Sequence, residues 1–219
     1  MSSTLEFKAP SAYTFRVSCC RAALTLFKGF RSDPLANSLL RSPSCLYIFF
    51  ELLVSLARLG ALKLVCVEDS GAAASAALLA AGRAQLSGKP GVSAAARLLA
   101  FLAACLKLRG LLLLTGSAAW FPRYRRILRQ VEKPCHLLFI ASLLPGRGYG
   151  SRVLKTVEEE CRRLGRQAVI LEVDLENRAL MFYARRGYAP LAVTRFAGRD
   201  FLLMVKEFQE ELPERWRSR

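Results

Sequence analysis

The sequence predicts a mixed α/β chain of the α+β kind, on three observations. From His136 onward the apolar pattern runs strand, helix, strand, helix, hairpin. Three glycines at alternate positions, Gly146, Gly148 and Gly150, stand where the first of those strands gives way to a helix. The half before Pro134 is mostly helical in period. The chain has 219 residues, 53% hydrophobic and 23% charged, which suffices for one sizeable core and is too apolar for wholesale disorder.

Taken in order, residues 1–10 offer no periodic pattern and are expected to be loose. YTFRVS (13–18) alternates like a strand, and CCRAALTLFKGF (19–30) recurs at helical spacing. Asp33-Pro34 marks a fresh helix start, with Asp33 as cap and Pro34 in the first turn. SPSCLYIFFELLVSLARLG (42–60) repeats that grammar: Ser42 or Ser44 caps and Gly60 stops. ALKLVCVED (61–69) reads as a strand turned by the Asp-Ser-Gly that follows. An alanine-rich strand or helix spans 72–81. RAQLSGKPG (83–91) is a loop by composition, and 92–110 is a helix with few polar residues. The apolar run 98–114 is a poor membrane span, because Lys107, Arg109 and Gly110 interrupt it. WFPRYRRILRQV (120–131) is amphipathic, with Tyr124, Ile127, Leu128 and Val131 on one face.

HLLFIASLL (136–144) is the kind of apolar run expected of a strand buried on both faces. After the glycines, Val153, Leu154, Val157, Cys161 and Leu164 form a helical stripe that ends at Gly165. AVILEVD (168–174) is another strand, and NRALMFYARRG (177–187) a short helix capped by Asn177 and stopped by Gly187. PLAVTRF and RDFLLMVKEF, around Ala197-Gly198, make a final hairpin.

Composition narrows the setting. A formal net charge of +16 favours an anionic partner, such as a nucleotide, a nucleic acid or an acidic membrane surface, or simply gives solubility. Seven cysteines without a C-x-x-C pair, and a single histidine, predict reduced thiols, no metal site and a cytoplasmic protein. The serine-rich, acid-poor first thirty residues read either as a transit peptide or as the domain's first strand and helix.

The glycines ask for a purpose. One reading is a tight turn that needs positive φ angles; the other is a backbone that comes close to an anion at a helix N-terminus, where bare amides converge. The run is not a P-loop, since no Gly-Lys-Ser/Thr ends it. The third glycine of a Rossmann loop would fall at Ser151. LPGRGYGSRVL, LEVDLEN and NRALMFYARRGY together resemble the GNAT superfamily of N-acetyltransferases. The second part reads Asn177, Ala179, Phe182, Tyr183, Gly187 and Tyr188 at the family's usual spacing. GFRSDPLANSLL and His136 are similar to features of one GNAT subgroup. The match covers roughly 135–208. It departs from the family where Pro145 abuts Gly146, since three residues usually stand between them.

The resemblance implies a central, mixed, mostly antiparallel twisted sheet flanked by helices. It implies one domain over 11–208, with the cofactor-binding core at about 135–208 and flexible ends at 1–10 and 209–219. It implies acetyl transfer from acetyl-CoA to a primary amine of a small molecule or protein. Gly146, Arg147, Gly148, Tyr149, Gly150 and Ser151 would line the pyrophosphate, Leu143, Leu144 and Arg152 would join the cofactor site, and Asn177 would contact the pantetheine arm or its vicinity. Tyr183 would protonate the departing thiolate, and two splayed strands would expose an amide to the thioester carbonyl. For the base, Glu172 comes first and His136 second. Plainer roles stay open for each: Tyr183 as core packing, Asn177 as a helix cap, Glu172 as a salt-bridged strand residue, His136 as a strand-edge residue against a loop. The rival function is an impaired GNAT-like scaffold that docks RNA or another polyanion through Arg123, Arg125, Arg126 and Arg129 with Tyr124.

Overall fold

A computed structural model describes residues 12–40, 42–69, 72–80 and 121–208. Their elements are α1 (Ala12–Phe30), α2 (Pro34–Leu39), α3 (Pro43–Arg58), β1 (Lys63–Asp69), β2 (Ala72–Ala80) and α4 (Phe121–Leu128). There follow β3 (Pro134–Ser142), α5 (Tyr149–Arg163), β4 (Ala168–Asp174), α6 (Ala179–Ala184), β5 (Ala189–Phe196) and β6 (Arg199–Glu207). The expected loop at 83–91, the helix at 92–110 and the loose ends lie outside the described residues. Among the described residues no helix is long and apolar enough to cross a membrane.

One expectation is overturned. Residues 13–18 belong to α1 rather than to a strand. No glycine or proline separates Val17 from Cys20, so the helix that 19–30 demands extends backward unbroken, and six alternating residues are too few to resist it. The caps hold elsewhere. Asp33 accepts the Ala36 amide at 2.8 Å, and Ser42, not Ser44, caps α3 by accepting the Cys45 amide. The 72–80 stretch is a strand.

The six strands lie in the order β1-β2-β3-β4-β6-β5, and every neighbouring pair is antiparallel except β3 and β4. The mixed, mostly antiparallel sheet is therefore as expected. On one face α1 and α3 bury Ala22, Leu26, Phe50 and Val54 against Leu78 and Ala141. A Cβ at Gly29 would come within 2.5 Å of the Ala141 Cβ, so α1 meets β3 at a distance only glycine allows. On the other face α5 sets Val153, Leu154, Val157 and Cys161 against Cys135, Leu137, Val169 and Leu171. Each such side chain contributes about 1.5–3 kcal/mol by leaving water.

Two irregularities position the site. β3 and β4 are paired only at their starts, from Pro134↔Ala168 to Leu137↔Leu171; beyond those four pairs they diverge. Leu79 is registered on Leu137 and Leu78 on Phe139, so Leu138 bulges out of the ladder with β2. The bulge turns Leu137 and Ile140 toward α5, and Phe139 and Ala141 toward α1 and α3. Leu138, Phe139 and Ile140 are only half-buried, because the strand borders an opening where full burial on both faces was expected.

Candidate active site

The opening is a cavity of about 710 Å³ between the diverging strands and the α2–α3 corner. Glu172 lies one residue past the last β3–β4 pair, so its side chain enters the gap instead of a ladder neighbour's space. His136 sits two residues into β3, flanked by β2 and β4, on the same face of the sheet. It is therefore a central-strand residue, with no sheet edge beside it. Tyr124 comes from α4, whose amphipathic pattern turns this one aromatic inward, 6% exposed.

These three groups share hydrogen bonds. His136 Nε2 and Glu172 Oε2 are 2.7 Å apart, and the Tyr124 hydroxyl donates to Glu172 Oε1. The Tyr124 oxygen also stands 3.3 Å from His136 Nε2. Burial disfavours charge on both titrating members. It pushes the Glu172 carboxyl up to about 7 and holds the His136 imidazole down to about 4.

The signs of those two shifts oppose each other in stability. A carboxyl raised from its ordinary 4.5 to about 7 loses its contribution as pH rises through that window. An imidazole lowered from 6.5 to about 4 loses its contribution as pH falls through that one. Where the windows overlap, the pair holds one proton folded or unfolded, so its pH signature falls on chemistry more than on stability.

Tyr183 enters the same cavity from the other side of the gap, on α6. Its ring is 6% exposed, edge-on to Phe182 (5.2 Å) and Tyr188 (5.7 Å). Burial pushes its phenol up to about 12, so it holds its proton at every physiological pH. Asn177 also lines the cavity, and its Oδ1 accepts the Ala179 amide at 2.9 Å, the capping role read from the sequence. Asp174, at the end of β4, is engaged by Arg199 at 2.5 Å, which fastens β4 to β6 beside the opening.

The glycine turn lies at the end of β3 and is absent from the cavity wall among the described residues. Leu143 donates to the Ala74 carbonyl at 2.9 Å, and Leu144 accepts from the Arg147 amide at 3.5 Å. Gly146 and Gly148 take φ of 80° and 78°, and nothing stands within 4 Å of where their Cβ atoms would be. Gly150 differs: a Cβ there would touch the Phe182 ring at 3.6 Å. Thus two glycines serve the turn, while at the third a Cβ would make an ordinary contact with Phe182. α5 begins at Tyr149, so its first amides have no intrahelical partner, and the turn that precedes them, 145–148, is exposed. Tyr149 itself turns inward, with its hydroxyl bonded to Asp69. Arg152 lies over the Tyr149 ring at 4.6 Å, and the Ser151 hydroxyl accepts from Arg186. The Ser142 hydroxyl, at the strand's last residue, is buried without a partner among the described residues. Bare helix amides, side-chain-free approach and an orphaned hydroxyl fit an anionic, hydrogen-bonding ligand such as a pyrophosphate.

Two contributors escaped the sequence. By sequence Tyr124 belongs to an apolar helix face or to the polyanion-binding arginine cluster, and Arg186 only to a helix end. The doubled arginine in YARRGY, one helical turn after the paired aromatics, was the available signal for Arg186.

Comparison with known proteins gives the same frame. Residues 125–208 match the family model for the acetyltransferase (GNAT) domain. A Corynebacterium glutamicum structure, described as histone acetyltransferase HPA2 and related acetyltransferase, is 19% identical over 94% of this chain and 97% of that one, with a TM-score of 0.58. The Drosophila melanogaster polyamine N-acetyltransferase is 17% identical over 85% of this chain and 95% of that one, with a TM-score of 0.56. Comparison with curated proteins finds no match. Residues 125–208 thus match the GNAT acetyltransferase domain, and the chain shares its mixed α/β fold with these acetyltransferase structures.

Proposed function

We propose that this protein is an acetyl-CoA-dependent N-acetyltransferase acting on a primary amine. The observation that carries the proposal is a single cavity, over the gap between β3 and β4, that has Glu172 with His136 and Tyr124 on one wall and Tyr183 on another. A base and a proton donor facing one space is what acyl transfer requires. The glycine turn at the end of β3 supplies backbone amides for the pyrophosphate, with Arg147, Arg152 and the Ser142 hydroxyl within that end of the domain. Acetyl-CoA supplies an activated acyl group and a thiolate leaving group.

Glu172 takes the proton from the attacking amine as the new C–N bond forms. His136 and Tyr124 orient its two oxygens for that task. A backbone amide in the gap, where β3 lacks its β4 partner, polarises the carbonyl. Tyr183 gives its proton to the sulfur as the C–S bond breaks. The single-domain reading of 11–208 and the cytoplasmic setting belong to the same proposal.

The rival polyanion-binding scaffold has one observation in its favour: Arg125, Arg126 and Arg129 cluster on the outer face of α4 around a small hollow. It loses its stacking aromatic, because Tyr124 faces inward to Glu172. The test of the enzymatic reading is release of CoA with a panel of amines, wild type against Tyr183→Phe. A lost proton donor of this kind lowers kcat by about 10²–10⁴-fold. Acetyl-CoA affinity should not move. Unchanged turnover would leave Tyr183 as core packing.

A further inference from the structure

The cavity that serves the proposed reaction also carries information about its acceptor. Leu35 and Leu39 of α2 and Phe49, Leu52, Leu53 and Leu56 of α3 form its far wall. The α3 residues recur at helical spacing and line the cavity along one helix face, with Phe49, Leu52 and Leu53 also packed against the core beside it. Phe139, set edge-on to Phe49 (5.8 Å) and Phe30 (5.5 Å), closes the floor. The ionisable side chains on this wall, among the described residues, are few and mostly occupied. Asp33 caps α2, Asp174 is held by Arg199 at 2.5 Å, and His136 is engaged with Glu172 at 2.7 Å. Glu172 is the carboxylate placed to meet an amine.

Resting on the proposed acetyltransferase function, we infer that the acceptor is a hydrophobic monoamine: one primary amino group on an aryl-alkyl or long alkyl skeleton. Three physical arguments converge. An apolar skeleton gains by leaving water for such a wall, whereas a second ammonium would be desolvated against a mostly apolar surface whose other carboxylates, Asp33 and Asp174, already serve a helix cap and an arginine. The same apolar surroundings disfavour the ammonium form of the reacting group, so the amine enters neutral, its extra proton left with solvent, and Glu172 stays free to take the proton released as the C–N bond forms. Finally, a chain with a net charge of +16 repels polycations at long range and repels a singly charged amine far less. This acceptor differs from that of the polyamine N-acetyltransferase which shares the fold.

The test measures acetyl-CoA binding by calorimetry, then CoA release with phenethylamine, octylamine, spermidine and a lysine-containing peptide. Phenethylamine and octylamine should exceed spermidine and the peptide in kcat/KM by about tenfold or more, the scale on which an apolar pocket discriminates. Leu53→Gln should raise KM for phenethylamine by about tenfold without altering acetyl-CoA affinity, and Leu53→Met should restore it. Leu56→Gln, one turn further along α3, repeats the measurement should Leu53→Gln fold poorly. Preference for spermidine or the peptide overturns the inference while leaving the acetyltransferase reading intact. So does an unchanged phenethylamine KM in both glutamine variants. Absence of acetyl-CoA binding is the distinct result that removes the functional reading, and this inference with it.

Discussion

The glycine turn and the Glu172 cluster face the same proposed reaction but are made in opposite ways. The turn is contiguous: residues 143–152 carry it, and its working parts are backbone amides and missing side chains. The cluster is assembled from α4, β3 and β4, and its working parts are side-chain atoms that meet only because the fold brings three distant segments together. A backbone site built this way tolerates changes in neighbouring side chains, but a side chain at Gly146 or Gly148 would strain its positive φ and stand where a ligand would approach. A side-chain site fails when any one of its members is removed. The first should therefore control affinity for the cofactor, and the second the rate of the chemical step.

The largest expected effect comes from the cluster. Glu172→Gln keeps the shape and removes the base, so kcat should fall by about 10²–10⁴-fold with acetyl-CoA affinity unchanged. In the wild type, kcat should rise with pH through about 7, because burial holds Glu172 protonated below that value and only the carboxylate accepts a proton. A steady-state pH profile checks both, since the glutamine variant should lose the limb near pH 7. A profile flat between pH 6 and 8 in the wild type would break the assignment.

The next effect belongs to the turn. Gly148→Glu adds a side chain at a φ of 78° and a negative charge where a pyrophosphate would lie. Calorimetry should show acetyl-CoA binding weakened by about tenfold or more relative to Gly148→Ala, which shares the backbone strain but not the charge. Equal affinities in the two variants would mean that the turn matters only as a turn.

The smallest effect sharpens the boundary of the cofactor site. Arg152→Ala, one turn into α5, should weaken acetyl-CoA binding a few-fold, and the loss should shrink with added salt because that side chain is exposed. Arg166→Ala, beyond the far end of the helix, should leave it unchanged. Parallel salt titrations of both variants measure the difference; equal losses would indicate a diffuse basic surface.

What the sequence disclosed follows the same division. Gly-x-Gly-x-Gly between strand and helix, Asp33-Pro34, Ser42-Pro43 and Ala197-Gly198 are local signals, because a cap or a positive φ is decided within a few residues. The one reversed element, 13–18, lacked any such stop signal. Glu172 and His136 were legible as polar residues in apolar strands, but their contact depends on parallel pairing of segments 36 residues apart. Tyr124 was hidden by the same property that placed it: an amphipathic helix presents an apolar stripe, and a phenol counts toward that stripe while its hydroxyl does not. The acceptor wall was invisible for another reason. Phe49, Leu52, Leu53 and Leu56 look like any core-facing helical stripe, and only the divergence of β3 from β4 leaves space in front of them.

That divergence has a mechanical consequence. A β-sheet ordinarily transmits force and cooperativity across all its rungs, but here two three-stranded plates are stitched by four rungs at one end. Beyond those rungs the two plates are held by α5, whose core-facing side packs on both. An extended, amide-bearing arm laid in the gap would act as the missing rungs and join the plates into one elastic body. A co-substrate bound there, as proposed, would be a structural member as well as a reactant, adding to the α5 packing that already ties the two plates together.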